Sequence, residues 1–184
     1  MKVDLSSYNN RWYKKEIGAP GLKQFIWYYT NIIFLRSHFN PFGGIKIFFL
    51  RLFGAKIGRG VVVKQGVSIK YPWKLKAGDH CWIGENVWID NLAEINMGNH
   101  VCLSQGAMLL TGNHDYKKPS FDLIVKPITL EDGVWIGAQA LVCPGVNCKT
   151  HAVLSAKSVA VTDLEAYKIY QGNPAVAVRD RIIS

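Results

Sequence analysis

Acidic side chains are scarce: the 184 residues hold thirteen Asp and Glu against twenty-two Lys and Arg, a formal net charge of +9. The shortage is local. Up to residue 60, ten basic residues meet only Asp4 and Glu16, whereas from residue 61 twelve basic residues balance eleven acidic ones. Such basicity invites a nucleic-acid reading, but the chain has no aromatic RNP motif and no zinc-finger spacing, so no nucleic-acid partner is expected. Cysteine is sparse too. Cys81, Cys102, Cys143 and Cys148 form no C-x-x-C pair and no zinc spacing, which favours reduced thiols over a disulfide framework. No run of eighteen uncharged apolar residues occurs, and Met1-Lys2-Val3-Asp4 begins no signal peptide, so a cytoplasmic protein is expected.

What the chain has instead is a period of six. From residue 57 it divides into hexapeptides whose first residue is apolar: Ile57, Val63, Ile69, Ala77, Ile83, Ile89, Met97, Leu103, Leu109, Leu130, Ile136, Val142, Cys148 and Leu154. The second position is often Gly (Gly58, Gly78, Gly84, Gly98, Gly137), and the fifth is mostly small or β-branched. Three hexapeptides make one triangular coil, and stacked coils make a parallel β-helix with its apolar first positions piled inside. Ile57, Ala77 and Met97 lie twenty apart, so the first two coils each carry two extra residues. The organisation expected is an N-terminal helical cap over 1–56, a solenoid over 57–161 with a protruding loop at 115–129, and a closing segment over 162–184. The basic apolar stretch at 21–59 permits two readings: helices packed on the solenoid, or amphipathic helices resting on an anionic membrane surface.

Phase also sorts the histidines. His80, His100 and His151 fall at the fourth hexapeptide position, a corner, and read as solvated bystanders; His38 sits beside a loop, "NPFGG". Only His114 precedes a loss of count, for Leu109 and Leu130 are separated by fifteen residues too many. A long loop in a tightly counted scaffold is usually functional. One coil earlier, the same position holds Glu94, expected to orient the imidazole.

The hexapeptides of 57–159, "TGNHD" (111–115) before a loop, "EDGVWIGAQALVCPGV" (131–146) and "QGNPAVAVRDR" (171–181) resemble the hexapeptide-repeat acyltransferases, which include the maltose and galactoside O-acetyltransferases. "LRLFGAKIG" (50–58) and "YPWKL" (71–75) look most like the colanic acid biosynthesis acetyltransferases. The resemblance implies a left-handed β-helix, a homotrimer, and acetyl transfer from acetyl-coenzyme A to a sugar or lipid-linked oligosaccharide at sites between subunits, without a metal. On its terms His114 is the general base, Trp135 its neighbour, and Ala138 supplies a backbone N–H for the oxyanion. Ala156 would line the pantetheine channel, with Arg179, Lys157 and Arg181 near the nucleotide phosphates, while Asp90, Glu94 and His114 would meet the acceptor. A zinc carbonic anhydrase on the same scaffold would need a second histidine close to His114, and none appears before His151. Transfer to the amine of an amino or nucleotide sugar, and a trimeric scaffold without chemistry, stay open as alternatives.

Overall fold

The computed structural model describes residues 2–183; Met1 and Ser184, the outer ends of the two expected end segments, lie outside it. Its body is a three-faced parallel solenoid of five coils. The first face stacks Lys56–Ile57, Leu75–Ala77, Ile95–Met97, Ile128–Leu130 and Asn147–Cys148. The second stacks Val62–Val63, Trp82–Ile83, Cys102–Leu103, Trp135–Ile136 and Val153–Leu154, and the third stacks Ser68–Ile69, Trp88–Asp90, Met108–Leu110, Leu141–Val142 and Val159–Ala160. Register follows the hexapeptide count: Ile57 pairs with Ala77, Ala77 with Met97, Met97 with Leu130 and Leu130 with Cys148. Every first-position residue is buried except Ile57, which is half-buried at the end of the stack and packs against the core.

The strands of the first two faces are short because a left-handed residue turns the chain soon after each. Gly60, His80, His100, Gly133 and His151 turn the first face into the second, and Gly66, Asn86, Gly106, Gln139 and Lys157 turn the second into the third, all at positive φ. The second-position glycines answer a different demand. A Cβ on Gly137 would sit 2.5 Å from the Ala156 nitrogen of the next coil, so the coils can close up only without it. His80, His100 and His151 do sit at corners: His80 and His100 are exposed and stack at 5.3 Å between ring centres, and half-buried His151 stacks on Tyr167 at 4.9 Å.

All three slips in the count fall at the remaining corner, where the third face returns to the first. There the chain makes a 3-10 turn at Pro72–Lys74, an extra turn at 91–94, and an excursion that leaves the coil at Gly112 and returns at Ile128. Two buried polar side chains hold this widened corner. Asn91 exchanges hydrogen bonds with both the N–H and the C=O of Tyr71, and Thr111 Oγ1 bridges Ala93 N–H and Asp90 C=O. The excursion is an antiparallel hairpin, Gly112–His114 on Leu123–Val125.

Helices close the start of the solenoid. Gly21–Thr30 (α2, after a short α1 at Arg11–Glu16) runs on into a π-helical turn, Asn31–Leu35, and is followed by α3, Gly43–Leu52. The first coil has open carbonyls on all three faces, and the cap meets each. Arg51 donates to Ile57 and Gly58 C=O, buried Lys46 Nζ to Lys64 C=O at 3.0 Å, and Trp27 Nε1 to Ile69 C=O at 2.9 Å. Burial pushes the Lys46 ammonium below its ordinary pKa, with the charge of Lys64 adding to the effect. At the far end Leu164, Tyr170 and Ala175 cover the core, the last two from the hairpin of Lys168–Gly172 and Ala175–Asp180 that extends the second face.

Candidate functional site

The three-slip corner encloses a cavity of about 430 Å³. Its wall rises coil by coil: Lys70 and Tyr71 from the first, Asp90 and Leu92 from the second, Gly112 and His114 where the hairpin departs. Tyr8, Asn10, Tyr13 and Lys14 of the N-terminal arm close the remaining side. The arm is tied down at several points. Asp4 N–H donates to Pro119 C=O on the hairpin, Tyr13 OH to Leu92 C=O at 2.8 Å, and Trp73 Nε1 to Ile17 C=O at 2.7 Å. Lys74 Nζ adds a bond to Leu92 C=O and another to Glu16 C=O, and burial holds its pKa below the ordinary lysine value. Burial also raises the Tyr13 phenol, reinforced by neighbouring Tyr71 and Asp90, so it remains a neutral donor.

His114 is half-buried, sandwiched between the arm and the hairpin. Its Nδ1 lies 2.8 Å from Phe121 C=O, and its ring stacks on the Phe121 ring at 4.4 Å and 8°. Tyr8 of the arm approaches it at a tilt, 5.7 Å between centres. A carbonyl can only accept, so in the neutral ring Nδ1 carries the proton and Nε2 keeps a lone pair. This is the electronic form that a general base requires.

Phe121, not Glu94, therefore orients the imidazole. The chain returns to the coil with Ile128 paired to Ile95 and its N–H bonded to Glu94 C=O, which stacks Pro127, not His114, over Glu94. The Glu94 carboxylate bonds Lys76 at 3.0 Å, an interaction that lowers its pKa, and it lines a separate cavity with Trp12, Glu16, Val125 and Pro127. Asp90 does share the His114 cavity, and there it pairs with Lys70 at 3.0 Å. Sequence reasoning passed over Lys70, although Ile69 pairs with Ile89 and the twenty-residue coil puts Lys70 beside Asp90. Tyr8 and Lys14 gave no comparable signal, because a non-local arm places them.

Trp135 stands elsewhere. It is on the second face, its Nε1 donating to Ser104 Oγ at 2.9 Å, in a groove with Trp82, Glu85, Cys102, Gln105 and Gly84. In a triangular section that face is opposite the corner bearing His114, with the core between them, so one chain does not bring the two together. Ala138 occupies the corner beyond Trp135. Its C=O accepts from Lys157 N–H, while its own N–H has no partner among the described residues. Ala156 and Lys157 are exposed one coil on, and exposed Arg179 lies on the terminal hairpin that continues the same face. Arg181 is not with them. Its guanidinium holds Gly133 C=O at 2.8 Å and His151 C=O at 3.1 Å, which fixes the end of the chain to the first-to-second corner and leaves it little freedom to reach a phosphate.

Comparison with known proteins gives a consistent picture, although no family model matches the chain. It is 41% identical over 137 residues to WcaF of Escherichia coli strain K12, named as a colanic acid biosynthesis acetyltransferase, covering 74% of this chain and 75% of that one. It is 24% identical over 129 residues to the galactoside O-acetyltransferase of the same organism, covering 68% and 64%. Among solved structures, a hexapeptide-repeat acetyltransferase from Vibrio cholerae superposes with a TM-score of 0.79 at 25% identity over 90% of this chain and 92% of the other. A second structure of that protein, complexed with acetyl-coenzyme A, gives a TM-score of 0.70 at 27% identity over 76% and 78%. The solenoid is thus the left-handed parallel β-helix of these enzymes. With two-fifths of its residues shared over three-quarters of both chains, the protein belongs to the colanic acid biosynthesis acetyltransferases, a branch of the hexapeptide-repeat acetyltransferases.

Proposed function

We propose that the protein transfers an acetyl group from acetyl-coenzyme A to a sugar hydroxyl of an exopolysaccharide precursor, in the cytoplasm, as a homotrimer with His114 as general base. The observation that carries this reading is the Nδ1 contact to Phe121 C=O, which leaves Nε2 as the basic nitrogen in a cavity lined by Asp90, Lys70 and Tyr71. An alcohol is too weak an acid to attack a thioester unaided, so Nε2 takes the hydroxyl proton as the oxygen bonds to the carbonyl carbon. The oxyanion formed needs donors, and the unpartnered N–H of Ala138 is suited to that. Collapse breaks the carbon–sulfur bond, and the thiolate recovers the proton from the imidazolium.

The donor fits the second-face groove. Exposed indoles at Trp82 and Trp135 flank a slot of about 390 Å³, and Gly84 keeps its wall free of a side chain. Ala138, Ala156, Lys157 and Arg179, at the corner and on the terminal hairpin beyond that slot, would hold the pantetheine arm and the phosphates. Since His114 and Trp135 lie on opposite sides of one prism, a working site draws the base from one subunit and the donor groove from its neighbour. The colanic acid role in the name of WcaF supports a polysaccharide precursor as acceptor, and the acetyl-coenzyme A complex of the Vibrio cholerae enzyme supports the donor.

The test is thiol release from acetyl-coenzyme A across neutral sugars, amino sugars, nucleotide sugars and lipid-linked oligosaccharides, beside His114→Ala. Release with hydroxyl acceptors that falls in the variant is expected. Release confined to amino sugars would replace the reading with N-acetylation, and no release with any acceptor would replace it with the scaffold.

A further inference from the structure

The cap is apolar on both sides. One side of α2 and its π-helical extension buries Trp27 and Leu35 against the first coil. The opposite stripe, at helical spacing, is Leu22, Phe25, Ile26, Tyr29, Ile33 and Arg36, all exposed, with Phe25 at 61%. In α3 Lys46 and Leu50 face inward while Ile45, Phe48 and Leu52 face out, Phe48 at 60%. Between the helices the loop lifts Phe42 and Phe39 into solvent, Phe39 at 99%. A helix apolar all round is ordinarily covered on both sides. Here one cover is the solenoid, and the other is missing from the single chain.

Charge says what the other cover is. Between Glu16 and Asp79 the chain holds ten Lys and Arg and no acidic residue. Exposed Arg36 ends the outward stripe of α2, and exposed Lys56 follows α3. Apolar side chains rimmed by cations without a compensating carboxylate match an anionic bilayer surface. No helix among the described residues is long and apolar enough to cross a membrane.

We propose that this cap docks the enzyme on an anionic membrane through Phe25, Phe39, Phe42 and Phe48, with Arg36 and Lys56 meeting the headgroups. The consequence for the acceptor rests on the function proposed above. Lys70 belongs to the coil that the cap covers and His114 leaves two coils further on, roughly 10 Å along the axis at one strand spacing per coil. The cap adds one helix diameter, about 10 Å, so the cavity opens roughly 10–20 Å from the docked surface, within reach of a short oligosaccharide on a lipid carrier.

The experiment is flotation of the full-length protein with vesicles of phosphatidylcholine alone or with a minor share of phosphatidylglycerol. Co-flotation with the anionic vesicles only, weakened by salt, is expected. Phe39→Glu with Phe42→Glu, at exposed positions outside the core, should reduce flotation at least tenfold while acetyl transfer to a water-soluble acceptor is kept. Arg36→Glu should reduce it at low salt and less at high salt. Absence of flotation at low salt overturns the docking, as does a rise in mass beyond a trimer that Phe48→Glu abolishes, since the face would then bind a second copy. Neither result touches acetyl transfer to soluble acceptors, so docking and activity fail separately.

Discussion

Phe121 holds His114 twice, once through its carbonyl at 2.8 Å from Nδ1 and once through its ring at 4.4 Å. Phe121 itself has φ +50°, a left-handed conformation that non-glycine residues seldom adopt, and the hairpin keeps it there. The base is thus positioned by the backbone of the loop that follows it. His114→Ala should lower kcat by about 10²–10⁴ with the KM for acetyl-coenzyme A little changed. Phe121→Ala keeps the carbonyl but loses the stacking, so a smaller fall in kcat is expected, about tenfold. Steady-state thiol release measures both. Equal losses in kcat and in the KM for donor would mean that the residues act on donor binding.

Asp90 and Lys70 pair within the cavity, and each limits the rotamers of the other. Asp90→Asn should raise the KM for acceptor several-fold and leave the KM for acetyl-coenzyme A alone. Lys70→Met should do likewise, and the double variant should be little worse than either single one, because the two side chains act as one unit. Full additivity in a double-mutant cycle would separate them.

The split between the His114 corner and the Trp135 face makes a prediction about mixed assemblies. His114→Ala lacks the base, and Ala156→Trp would obstruct the donor groove, so each variant alone should be inactive. Co-expressed, they should recover activity at roughly one interface in four, the random-pairing share. Purified hybrids with no recovered activity would place both parts of the site within one subunit.

Acid should weaken the fold in a narrow window. The carboxyl of Asp79 is held below its usual 3.8 by the Arg59 backbone N–H and then by the Arg59 guanidinium, and that of Asp122 by Ser120 and then Lys118. A carboxylate with a depressed folded pKa stabilises fully above its unfolded value and loses that contribution as pH falls through the folded one. Melting temperature should therefore be level near neutrality and drop below about pH 4. Asp79→Asn should lower the neutral value slightly and flatten the acid limb, as followed by circular dichroism across pH.

Much of this was legible in the hexapeptides. A period of six fixes which residues face inward, and once Ile57, Ala77 and Met97 are counted twenty apart the register of the first three coils follows. The same count, run through His114, misplaced Glu94. It assumed that the coil lasts until His114, whereas the chain leaves at Gly112, and periodicity carries no mark of the residue at which a hairpin peels away. The cavity wall from the N-terminal arm was hidden for another reason. Tyr8 and Tyr13 come to the site through bonds to residues some eighty or more positions away, such as Tyr13 OH to Leu92 C=O, and nothing in their own neighbourhood announces it. Arg181, a free-looking cation in sequence, is bound to two carbonyls in space, a pairing that no local pattern announces.

The three side chains that seal the first coil, Trp27, Lys46 and Arg51, precede that coil in the chain. During synthesis the lid emerges before the barrel, so each newly made turn has a closed foundation to dock upon. A nascent solenoid begun without it would offer bare strand edges at its base, the template on which β-rich polypeptides join end to end into fibres.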